Sequence, residues 1–252
     1  MNWPSFNDFR EVRRALPIIA AVLFVTALFF PMWVIEVHAV QYPSTTLYVK
    51  VFAYPHLAGD YHEMYMLNKY VGFHYPDPVF WDPNYKVREG AVNVPEWSLG
   101  PVAFVVVSAL SLFVAIAPTV EKLKKGITGQ LIGTILVFGI MLVDIQYRLY
   151  QMGHSLDPDA PVMGVKGFTP PLIGRYEVAN ITSYSYFGTG AGIAILAIVL
   201  LVVAFYYRNK AVTFGDLPYR FLSRIGLKRK KEDSQSDALS DDIKGDSTKS
   251  NK

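Results

Sequence analysis

Histidine and methionine carry the chemistry this sequence could perform. The stretch HEMYMLNKYVGFHYP, residues 62–76, sets His62, Met64, Met66 and His74 close together. Imidazole and thioether are the ligands that copper selects among biological metals. Side chains of an extended chain alternate faces, so His62, Met64 and Met66 would share one face there, with Glu63 and Tyr65 on the other. His154 supplies a further candidate ligand from a second polar segment. The competing reading is a mixed strand face in a small cap that binds no metal. The chain has no cysteine, which excludes disulfides, thiolate metal sites, iron–sulfur clusters and a cysteine nucleophile. Nucleophile–base pairs, suitably spaced carboxylates, phosphate loops and dinucleotide fingerprints are not visible, so an enzyme is not expected. A net charge of +3 with no basic stripe outside the C-terminal tail does not point to nucleic acid.

These residues need a scaffold, and the composition says of what kind. The 252 residues are 52% hydrophobic and 18% charged, against about a quarter charged in ordinary soluble domains. The apolar residues come in long blocks. A bilayer core about 30 Å thick needs roughly 20 apolar residues of helix. Blocks at 16–36, 99–118, 127–148 and 188–207 meet that length. The expected fold is an all-α integral membrane protein with four transmembrane helices. Two ordered extracytoplasmic loops are expected at 37–98 and 149–187, with a small β-hairpin in the first. A cytoplasmic N-terminus (1–15), a short cytoplasmic connection (119–126) and a basic, then disordered, tail (208–252) complete the prediction. Basic residues set the orientation. Arg10, Arg13 and Arg14, then Lys122, Lys124 and Lys125, then Arg208, Lys210 and the run from Lys228 flank the blocks on one side. Both termini are therefore expected in the cytoplasm of a multi-pass cell-membrane protein, with all five histidines outside. The stretch 218–231 would suit a short helix on anionic lipid.

Within the loops, TTLYVKVFAY (45–54) is rich in β-branched and aromatic residues and reads as strand. Residues 55–60 read as its turn, and YHEMYML (61–67) as the returning strand or the start of a short helix. Asp144 and Arg148 stand four apart and are expected to pair on one helix. Gly153 reads as that helix's stop. The motifs Gly129-x-x-x-Gly133 and Gly188-x-x-x-Gly192 read as helix packing within the bundle, with a dimer interface as the alternative.

Two segments then carry a family resemblance. LNKYVGF (67–73) and GHSLDPDAPV (153–162), followed by FTPPLIG (168–174) and VANITSYS (178–185), resemble the NosB-like membrane accessory proteins. That family is associated with nitrous oxide reductase clusters and related copper-dependent respiration. The likeness runs from about residue 33 to 190. Leu67, Asn68, Tyr70 and Gly72 match the first motif. Gly153, His154, Leu156, Asp157, Pro158, Ala160 and Pro161 match the second, and Phe168, Pro170 and Gly174 the following loop. Lys69 and Phe73 stand where the family pattern has histidine and methionine, the two positions best suited to copper. The resemblance implies an accessory protein for an extracytoplasmic copper-dependent or respiratory enzyme, acting in maturation, metal loading or electron delivery. The alternative is a membrane anchor or subunit of a respiratory complex that binds no metal. In that case the motif is structural, with Asn68 and Tyr70 bonding the loop of Asp157 and His154. A permease is disfavoured, since Ser108, Ser111, Thr134 and Asp144 are the polar groups noted in the spans and transport ordinarily uses more.

Overall fold

A computed structural model describes residues 11–76, 91–92, 94–162 and 166–213 of the chain. The expected lipid-surface helix at 218–231 and the tail beyond it lie outside the described residues, as does the N-terminal stretch 1–10. The elements run α1 (Val12–Ala27), β1 (Trp33–Ala39), β2 (Leu47–Val51), β3 (Leu57–Gly59), α2 (Tyr61–Val71), β4 (Tyr75–Pro76), β5 (Ala91–Val92), a 3-10 turn (Pro95–Ser98), α3 (Leu99–Ala115), α4 (Val120–His154), β6 (Gly174–Val178), β7 (Ile181–Phe187) and α5 (Thr189–Tyr207).

The all-α expectation with four spans is overturned. Five strands form one antiparallel sheet in the order β3-β2-β1-β7-β6. Among the described residues three helices are long and apolar enough to cross a membrane: Pro95–Ala115, Val120–His154 and Thr189–Tyr207. The block expected to be the first span splits in two. Helix α1 has 16 residues, about 24 Å at ~1.5 Å per residue. Pro31 then bars further helix, and Trp33–Ala39 becomes a strand. A sliding count of apolar residues cannot separate a buried strand from a helix. Here the alternation in WVIEVHA separates them, because Val37 and Ala39 are buried while His38 is exposed. The sheet also unites what looked like two separate loops: β1 and β2 come from the first, β6 and β7 from the second.

The helices pack around two apolar clusters. Phe24 of α1 stacks on Phe138 of α4 and meets Phe104 of α3 edge-on. Ala20, Ala27, Ala194 and Ala197 let α1 and α5 approach closely. Gly188 and Gly190 pass close to the backbone that follows α1. A Cβ on Gly190 would meet the Phe30 carbonyl at 2.5 Å, and one on Gly188 the Pro31 carbonyl at 2.3 Å. Gly192, Gly129 and Gly133 have nothing within 4 Å of an added Cβ. The Gly129/Gly133 pair therefore meets no packing partner among the described residues, whereas in the second motif Gly188 packs tightly against Pro31 and Gly192 does not.

Helix α4 is one unbroken rod of 35 residues. It absorbs the expected connection at 119–126 and runs past the expected end at 148. Thr119 caps its start by accepting from the Lys122 N–H. Between α3 and α4 lies a polar node. The Gln130 amide donates to the Val107 carbonyl (2.9 Å), to Ser111 Oγ (2.9 Å) and to Thr134 Oγ1 (3.3 Å). Ser108 Oγ donates to the Ala21 carbonyl of α1. These groups bond one another and the backbone, and so lock helix register.

Candidate functional site

The two motif segments are brought together and locked by backbone contact. Helix α2 ends at Gly72, which adopts φ +81° as its left-handed cap. The Asp157 N–H donates to the Gly72 carbonyl (2.9 Å), and the Val162 N–H donates to the Tyr70 carbonyl (3.3 Å). A Cβ on Gly72 would lie 2.9 Å from both the Ala160 side chain and the Asp157 carbonyl. Only glycine fits the dihedral and the gap together. Asp157 holds its own turn by accepting from the Asp159 N–H, with Pro158 between them.

Gly153 does not stop α4, which continues to His154. It makes room instead. The Phe168 N–H donates to its carbonyl, and a Cβ there would fall 1.9 Å from the Phe168 carbonyl oxygen. Phe168 then stacks between Phe73 and Tyr176, and burial raises the Tyr176 phenol above its ordinary pKa. Phe73 is thus one layer of an aromatic stack.

The candidate copper ligands do not share a face. Residues 61–71 form a helix, not a strand. At 3.6 residues per turn His62 and Met66 share a side, and Met64 lies across from them. His62 and Met66 are exposed, while Met64 packs against the cluster of Val37, Leu47 and Leu67. His154 is exposed at the end of α4, stacked on Tyr150, and its Nδ1 lies 2.9 Å from the Tyr150 carbonyl. Nδ1 of half-buried His74 has no hydrogen-bond partner among the described residues. Among those residues no group of three or more His, Cys, Asp or Glu could hold a metal ion. Asn68 is half-buried and its carbonyl accepts the Phe73 N–H beyond the helix end. Arg148 pairs with Glu96 before α3, and with Gln151, rather than with Asp144.

The exposed chemistry lies on the other face of the sheet, which the sequence reading missed. One face holds Val37, Ala39, Leu47, Val49 and Ser185, all buried. The opposite face is open apart from Val34, which is buried at its edge. Register lines up Tyr48, Glu36, Tyr184 and Arg175 in one row across four strands. Tyr48, Tyr184 and Tyr186 remain 38–41% exposed there. Tyr184 is the centre of the row. His38 meets its ring edge-on at 5.9 Å, and the Arg175 guanidinium lies 5.9 Å from its centroid. Glu36 reaches His38 Nε2 at 3.0 Å, and Arg175 reaches Glu177 at 3.1 Å. Partial desolvation, then the Glu36 carboxylate, hold the Tyr48 phenol above its usual range. The available signal was the Ser/Tyr alternation of ITSYSYF (181–187), which places two tyrosines on one strand face. Gln130 was missed too, a single amide inside an apolar run.

No family model, curated protein or solved structure matches this chain. The NosB-like resemblance therefore rests on its two loop motifs.

Proposed function

We propose that this protein is a membrane-held accessory subunit that docks an extracytoplasmic enzyme on the open face of its sheet. The observation that carries this is the row centred on Tyr184: aromatic anchors with charged neighbours, exposed on a rigid five-stranded sheet. Tyrosines of this kind lose little side-chain freedom on binding and dominate many interfaces. The NosB-like resemblance supplies the class of partner, a copper-dependent or other respiratory enzyme. The motif residues point the same way, because Gly72, Gly153 and Asp157 shape backbone and offer no chemistry of their own. Anchoring is favoured over metal loading or electron delivery, since the histidines are dispersed.

Basic residues favour the cytoplasmic side. Arg13, Arg14, Lys122, Lys124, Lys125 and Arg208 sit at one end of the bundle, and the sheet follows the helices at the other. In this reading the basic end and both chain ends face the cytoplasm, and the sheet faces outward. The absence of cysteine makes the orientation simple to test. Lys50→Cys should react with an impermeant maleimide in intact cells, and Lys125→Cys only after permeabilisation. The reverse pattern would place the docking face inside and end the proposal.

Docking itself is tested by co-purification of the tagged full chain from its native membrane. A respiratory or copper enzyme should come down with wild type and fall about tenfold or more with Tyr184→Ala, within the range of ~2 kcal/mol for a hot-spot residue. Unchanged recovery would remove this face from the interface. Cu(I) titration runs beside it. Stoichiometric copper, lost in a combined His62→Ala, His74→Ala, His154→Ala variant, would replace anchoring with metal delivery.

A further inference from the structure

At the basic end an apolar groove opens where α3 passes into α4. It measures about 270 Å³ and is lined by Phe113, Val114, Ile116 and Pro118, with Lys122 as the one charged lining residue. Both helices that form it are long and apolar enough to cross a membrane. Phe113 is 72% exposed beside it. In a bilayer such an apolar groove offers room for an acyl chain.

The charges around it decide what kind of lipid. The two acids described at this end are already engaged: Glu11 holds Arg13, and Glu121 holds Lys125 at 2.8 Å. Arg14 is buried and donates to the Ala115 and Ala117 carbonyls at 2.8 and 2.9 Å, so it closes the end of α3. Lys122 and Lys124 have no ion-pair partner among the described residues. The groove thus pairs an apolar channel with an uncompensated cation on its rim. That combination is complementary to a lipid whose headgroup is negative, and a zwitterionic headgroup satisfies it less well.

We propose that this groove is a binding site for one anionic phospholipid, with its acyl chain along Phe113 and Ile116 and its phosphate on Lys122. The site is independent of the docking face and lies at the other end of the molecule.

The test is native mass spectrometry of the full chain released from detergent, titrated with phosphatidylglycerol and with phosphatidylcholine. The expected result is one tightly retained phosphatidylglycerol per chain and a clear preference over phosphatidylcholine. Lys122→Gln, an exposed position, should weaken phosphatidylglycerol about fivefold and leave phosphatidylcholine unchanged. Lys125→Gln, whose partner is Glu121, should leave the preference intact. Ile116→Trp should fill the groove and reduce both lipids. Equal retention of the two lipids, or a preference indifferent to Lys122→Gln, overturns the proposal. So does loss in Lys122→Gln with full retention in Ile116→Trp, because the lipid would then be held by surface charge alone. Equivalent binding of inorganic phosphate at the same concentration would also overturn it.

Discussion

The two ends of this molecule are held together in opposite ways. At the sheet end the backbone does the holding. Residues 70–72 accept backbone bonds from Asp157 and Val162, Gly153 accepts one from Phe168, and the glycines at 72 and 153 remove the side chains that would keep these segments apart. At the basic end a single backbone bridge, with the Val12 N–H donating to the Val212 carbonyl, is joined by side chains that do most of the cross-linking between helices. Arg14 reaches across to close α3, and Gln130 ties α3 to α4 from within. A backbone lock tolerates few residues at its contact points. A side-chain clasp tolerates any residue that offers the same hydrogen bonds.

That contrast can be broken by substitution, with thermal stability of the detergent-solubilised chain as the readout. The largest effect is expected from Gly153→Ala. The new Cβ would fall on the Phe168 carbonyl, and forcing backbone apart in this way costs about 3 kcal/mol. Partner recovery should fall with it. A silent Gly153→Ala would show that the lock is looser than the hydrogen bonds imply. Next comes Arg14→Ala, which strips the Ala115 and Ala117 carbonyls of a charged donor, at about 2 kcal/mol. Here Arg14→Lys should recover part of the loss, whereas no larger residue should rescue position 153. That difference is the sharpest test of the contrast. Gln130→Leu should cost less, about 1 kcal/mol, as polar contacts inside membrane bundles usually do. The smallest effect is expected from Gly129→Ala. Nothing lies within 4 Å of the added Cβ, and the change should fall within about 0.5 kcal/mol of wild type. A large loss there would reveal a packing partner for α4 outside this chain.

The sequence disclosed the bundle's apolar blocks through length and charge alone. It disclosed strand β2 through its β-branched run, but the residues that read as the following turn hold β3 itself. What it hid was long-range. Strand β1 pairs with β7 across some 145 residues, and no local pattern in WVIEVHA names that partner. Residues 61–67 read either as a strand, through the alternation of His-x-Met-x-Met, or as a short helix, and the left-handed Gly72 closes a helix there. Arg148 was assigned to Asp144 by spacing, and a tertiary contact gave it Glu96 instead. Gly72 and Gly153 were marked by the motifs. Their reason, close passage of another backbone, is visible only once both loops are folded. The Tyr184 row needed the register of four strands before its members became neighbours.

One more property follows from the length of α4. It spans about 52 Å at ~1.5 Å per residue, with the lipid groove near its first turns and the Gly153 lock at its last. The rod therefore acts as a mast. A lean of about 10° about its inner end would carry its tip sideways by about 9 Å, taking the same rise per residue. Helices lean to match the thickness of the bilayer around them. In the proposed orientation, the position of the tyrosine face above the membrane then responds to the thickness of the lipid around it.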